Sequence, residues 1–209
     1  MSEVGDVKGG IEALLFDLGG VIFEIDFGGA LAAWSAHSGE REEVIGERFS
    51  FDISYERHER GEIDAGQYFQ SLRSLLRIDL TDAQFAEGWN SIWGPELEIV
   101  ERLPGLLAGR MPVFAFTNSN PTHQAAWEQR YSRALSIFQR IFVSSEMGVR
   151  KPEPRSYEAV SRELGIPLDK MVFFDDTLAN VHGARAVGMP AVHVRTAADV
   201  ERSLIELIG

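Results

Sequence analysis

Ala13-Leu14-Leu15-Phe16-Asp17-Leu18-Gly19-Gly20 decides how this chain is read. Four apolar residues in a row beside a turn signal are expected of a strand buried on both faces of a parallel sheet. A carboxylate ends the run and a glycine pair follows. α/β enzymes present a nucleophile in this way, at the carboxyl edge of the sheet. A second apolar run, Met171-Val172-Phe173-Phe174, ends in Asp175-Asp176. Between the two, Thr117-Asn118 closes a third run and Lys151 stands in a loop. Carboxylates at two strand ends, a hydroxyl at a third and a cation suit magnesium-assisted phosphoryl transfer through aspartate.

Working outward, short apolar runs alternate with helical patterns, the signature of βαβ units around a parallel sheet. Strands are predicted at 12–16, 111–116, 141–143, 171–174 and 191–194. Helix 156–164 follows Pro152 and Pro154 and stops at Gly165 before Pro167; helix 178–187 stops at Gly188 before Pro190. Residues 27–94 are different. They contain no good strand and several amphipathic helical runs. One run is 65–76, where Asp64 can cap and Gln67 completes a capping box; another begins near Thr81-Asp82. The stretch reads as a helical insertion after the first strand, returning to the sheet near Pro95. Residues 1–10 read as a frayed tail.

The 209 residues suffice for one substantial core with an insertion, and 44% hydrophobic with 25% charged residues is ordinary globular composition. A net charge of -12 with no basic stripe argues against nucleic acid as a partner. It would also repel a phosphate ester, so a local cation and Lys151 have to overcome the global field. With no cysteine, disulfides and thiolate metal sites are excluded. Apolar runs are too short for a membrane span and no secretory signal is visible, so a cytoplasmic location is expected.

Taken together, Phe16-Asp17-Leu18-Gly19-Gly20-Val21, Phe116-Thr117-Asn118, Arg150-Lys151-Pro152 and Phe174-Asp175-Asp176 with Asn180 resemble the four motifs of the haloacid dehalogenase superfamily, in order. Within it the chain is most similar to small bacterial phosphatases of α-D-glucose 1-phosphate. That similarity rests on FDLGGVIFEIDF (16–27), ERHERGEID (56–64) and GVRKPEPRSY (148–157). The resemblance implies an α/β fold, a Rossmann-like doubly wound parallel sheet with a helical cap inserted after the first strand. The core would be 1–26 and 95–209 and the cap 27–94. It further implies a magnesium-dependent phosphatase acting on a small sugar phosphate, plausibly a hexose 1-phosphate.

The same resemblance assigns roles. Asp17 attacks phosphorus and forms an aspartyl-phosphate; Lys151 neutralises charge on the phosphate and on Asp17. Thr117 and the backbone N–H of Asn118 hold the phosphate. Magnesium would take Asp17, the Gly19 carbonyl and Asp176, with Asp175 and Asn180 orienting Asp176. The polar run 57–62, His58 included, is a candidate reader of sugar hydroxyls from the cap or else a solvated helix end. Arg150 is expected to serve the surface, His123 to face the site or to pack, and the four tryptophans to pack the cap and its junction.

One departure stands out. Most phosphatases of this superfamily carry a second aspartate two residues after the nucleophile, as the acid and base for the leaving oxygen. Here that position is Gly19. Either the leaving group needs little protonation, or Glu24, Asp26, His58 or Glu59 takes the role, or phosphatase activity is lost and a non-catalytic phosphate-binding module remains. A metal-independent 2-haloacid dehalogenase is also compatible with Gly19, but it leaves Asp175-Asp176 unexplained. Oligomeric state is not legible in the sequence.

Overall fold

The apolar run that opens the chain forms strand β1, Ala13–Phe16, with every residue buried. In the computed structural model, which describes residues 10–107 and 109–208, six further strands follow. They are β2 Phe23–Ile25, β3 Trp93–Glu96, β4 Val113–Thr117, β5 Arg140–Val143, β6 Met171–Asp175 and β7 Ala191–His193. Four of them join β1 in one parallel sheet in the order β5-β4-β1-β6-β7. This is the α/β, Rossmann-like parallel sheet flanked by helices that the motifs imply. β1 lies at its centre, so its carboxyl end is flanked by those of β4 and β6. Asp17, Thr117 and Asp175 are thereby brought to one edge, although the chain separates them widely.

The sequence missed one feature. β2 and β3 pair as a small antiparallel ribbon at the foot of the insertion. β3 reads Trp-Gly-Pro-Glu, and glycine and proline hide a strand from any propensity argument. The expected frayed tail falls on residues that, Gly10 excepted, lie outside those described.

Between the ribbon's strands stand five helices: α1 Phe27–Ser38, α2 Glu42–Arg48, α3 Ile53–Glu59, α4 Ala65–Leu76 and α5 Asp82–Asn90. Local chemistry sets their starts. Asp64 and Gln67 form the predicted capping box on α4, and Thr81 with Gln84 forms another on α5. Rings hold them together. Trp34 of α1 stacks on Trp89 of α5 at 5.9 Å and 10°, and both are fully buried. A methyl group at Gly88 would collide with the Trp34 indole, so only glycine lets α1 and α5 approach this closely. Burying a large apolar side chain is worth about 1.5–3 kcal/mol, so Trp34, Tyr68, Phe69, Phe85 and Trp89 carry much of the insertion's stability. No helix among the described residues is long and apolar enough to cross a membrane.

Candidate active site

Lys151 organises the edge where the strands converge. Its ammonium is 0% exposed, and each of its three protons has a buried acceptor. These are Asp17 Oδ2 at 2.9 Å, Asp175 Oδ2 at 2.7 Å and the Phe116 carbonyl at 2.9 Å. Burial alone would lower its pKa, but the two carboxylates outweigh that and raise it, so it stays charged. The Asn118 side chain fixes the lysine's backbone from both sides, donating to the Lys151 carbonyl and accepting from its N–H, each at 2.9 Å.

Asp17 sits one residue beyond β1, its Oδ1 accepting from the Leu18 N–H at 2.7 Å. Burial pushes its carboxyl well above the usual range; Lys151 opposes this, while Asp175 and Asp176 add to it. Asp175 is buried completely and accepts from Lys151, from the Thr177 N–H and from the Asn180 amide. Asp176 turns outward beside it. Gly20 follows with φ of 69°, and any side chain there would strike the Asp176 carboxylate. Glycine is needed at position 20 on both counts.

Carboxylate oxygens of Asp17, Asp175 and Asp176 lie within 4.8 Å of one another. Three carboxylates against one ammonium leave two negative charges, which a divalent cation would balance. An all-oxygen donor set of this kind suits magnesium. The residues present therefore fit the ion that the motifs imply.

A cavity of about 460 Å³ opens over this cluster. Asp17, Gly19, Thr117, Asn118 and Asp176 line it, while Lys151 lies fully buried beneath them. His58 does not line it. It is 1% exposed, its ring stacked on Tyr68 at 4.7 Å and its Nδ1 against the Ile63 carbonyl at 3.2 Å. The run around it is dense in polar groups, which suggests access to a ligand, but this ring turns inward.

Arg150 corrects another expectation. It does not serve the surface but lines the cavity, its Nε 2.7 Å from Glu59 Oε2. Its partner lies 91 residues away in sequence, so no local signal could reveal the pair. Glu59 is 3% exposed; burial raises its carboxyl pKa against the pull of Arg150 and of the nearby Tyr55 hydroxyl. Of the other candidates for Gly19's missing acid, Glu24 is exposed and Asp26 caps α1 through the Gly28 N–H. His123 both lines the cavity and packs. Trp93 Nε1 donates to its Nδ1 at 3.2 Å and Trp89 stacks on it at 4.9 Å. Burial depresses its pKa to about 3, so the ring is neutral. Ile25, Phe27, Phe51, Tyr55 and Ile92 extend the wall, and no local pattern marks them as lining a site.

Comparison with known proteins agrees with this geometry. The chain matches the haloacid dehalogenase-like hydrolases over residues 11–188. It is 27% identical over 204 residues to sesquiterpene phosphatase astK of Aspergillus oryzae, covering 95% of this chain and 97% of that one. A D-ribitol-5-phosphate phosphatase of Bacteroides thetaiotaomicron is 21% identical over 205 residues, 95% of this chain and 99% of its own. A haloacid dehalogenase family enzyme from the same bacterium, crystallised with magnesium and inorganic phosphate, superposes with a TM-score of 0.74. It is 26% identical, over 90% of this chain and 96% of that one.

Proposed function

The chain belongs to the haloacid dehalogenase-like hydrolases, and we propose that within this family it is a magnesium-dependent phosphatase working through an aspartyl-phosphate on Asp17. The observation that carries the reading is the convergence of three carboxylates within 4.8 Å beside a buried lysine. A metal-free dehalogenase has no use for that acidic trio.

Asp17, Asp176 and the Gly19 carbonyl would hold the magnesium, which when bound supplies charge neutralisation for phosphate and nucleophile. The protein's own residues do the rest. The Asp17 carboxylate attacks phosphorus as the bond to the alcohol oxygen breaks. Thr117 and the Asn118 backbone N–H hold the phosphoryl oxygens, and Lys151 offsets the charge that gathers there. Glu59 is the candidate acid best placed to replace the aspartate absent at Gly19, being buried, on the cavity wall and raised in pKa. It gives its proton to the departing alkoxide. It then takes one from the water that hydrolyses the aspartyl-phosphate, releasing phosphate and restoring Asp17. On this reading 27–94 acts as a cap over a catalytic core of 1–26 and 95–209.

The test is phosphate release from p-nitrophenyl phosphate and ethyl phosphate with magnesium present. Turnover should vanish on adding EDTA and in Asp17→Asn. Turnover that survives either change, or chloride release from a 2-haloacid without metal, overturns the proposal. For the alcohol half, the resemblance implies a hexose 1-phosphate, whereas relatives carry names as different as ribitol phosphate and sesquiterpene phosphatase. The walls of the cavity bear on that choice.

A further inference from the structure

Above the carboxylates the cavity wall is aromatic and aliphatic. Phe27 meets Phe51 edge to face at 5.1 Å and 79°, and Phe51 meets Tyr55 at 4.8 Å and 64°. Ile25, Ile92 and Trp93 continue the surface. Phe51 is 56% exposed although it lines the cavity, so it stands at the mouth, an apolar ring left facing water. Exposed large apolar groups beside a catalytic cleft mark where a ligand sits.

The polar groups on the same wall are already committed to one another. Arg150 pairs with Glu59 at 2.7 Å and with Glu56 at 3.5 Å. His123 Nδ1 accepts a hydrogen bond from the Trp93 indole N–H, and the Asn118 amide clamps the backbone of Lys151. A polyol needs free donors and acceptors at fixed places, because each of its desolvated hydroxyls left unpaired is costly. Few are free here. The volume of about 460 Å³ falls in the usual small-molecule range and exceeds what a phosphate group needs.

We propose that this wall receives the alcohol half of the substrate as an apolar chain or ring, so that the substrates are phosphate monoesters of apolar alcohols rather than sugar phosphates. This rests on the phosphatase reading above and adds the substrate class to it.

The experiment compares kcat/KM for n-alkyl phosphates from ethyl to decyl with that for glucose 1-phosphate and ribitol 5-phosphate. With magnesium present, kcat/KM should rise about fourfold per methylene until the cavity is full. The polyol esters should fall at least tenfold below the hexyl ester. Phe51→Ser, at a half-exposed position where folding is safe, should flatten the slope. A flat series, or polyol esters that exceed the hexyl ester, overturns the proposal. Hydrolysis of ethyl phosphate reports the phosphatase reading separately. Should that fail, calorimetry with n-alkylphosphonates still decides the wall's preference. Affinity must grow with chain length and the heat-capacity change must become more negative. Binding indifferent to chain length overturns the inference whatever the turnover.

Discussion

The sheet edge and the helical insertion meet across one cavity but are built on opposite principles. At the sheet edge, buried charge is held by charge and hydrogen bonds: Lys151 by Asp17 and Asp175, Asp175 also by Asn180 and the Thr177 N–H. In the insertion, rings pack on rings, with Trp34, Tyr68, Phe85 and Trp89 forming a buried interior. The two are joined by the ion pairs Arg60–Glu153 and Arg150–Glu59 and by Trp89 and Trp93 against His123. Buried charge fixes geometry to within a hydrogen bond and tolerates no loss of a partner. Ring packing tolerates exchange of shape more readily, provided volume is kept. Chemistry is therefore expected to sit with the first region and substrate choice with the second.

The largest expected effect tests the charged side. Lys151→Met leaves two buried carboxylates without their cation and should cost about 3–5 kcal/mol of stability. The melting temperature should fall by on the order of 10 °C, and phosphate release should be lost for every ester. Calorimetric melting with and without magnesium checks this. A variant as stable as the parent would show that the network does not hold the edge.

Next comes the ring side. Trp89→Ala opens a cavity in the insertion and should cost about 3–5 kcal/mol. The metal site should survive, because none of its ligands belongs to the insertion. Magnesium affinity read by titration should stay within a few-fold of the parent's. If it collapses instead, the two regions are one cooperative unit.

Glu59→Gln probes the seam. It keeps the shape of the side chain and removes the titrating proton. The kcat for a poor leaving group such as ethyl phosphate should drop about 10²-fold, and much less for p-nitrophenyl phosphate, whose leaving oxygen needs no proton. In the parent, the activity that depends on acid Glu59 is lost as pH rises through its elevated pKa, and that limb should disappear in the variant. An equal loss for both esters would assign Glu59 a merely structural part.

The smallest effect is on pH. His123 has a pKa depressed from 6.5 to about 3. A depressed histidine stabilises the fold above its unfolded pKa, and that contribution is lost as pH falls from 6.5 toward 3. Denaturant melts across this window should show His123→Gln with a shallower loss than the parent. Parallel curves would mean the ring is accessible to protons in the native state.

Much of the sheet edge was legible because its residues sit next to their own strands. Asp17 follows an apolar run, Thr117 ends one and Asp175-Asp176 ends another, and parallel strands in one sheet necessarily present their carboxyl ends together. The caps at Asp64 and Thr81 were legible for the same local reason. The cavity wall was not. Ile25 with Phe27, Phe51 and Ile92 come from three separate places, and each looks like an ordinary core residue in its own neighbourhood. The burial of His58 and the pairing of Arg150 with Glu59 were equally hidden.

The chain alone determined what kind of chemistry the protein is equipped for, since residue type and strand-end position are local properties. Only the tertiary structure decided which side chains line the cavity, because that depends on how the five-helix insertion lies over the edge. Its position is set by long-range contacts between rings and ion pairs that no spacing along the sequence encodes.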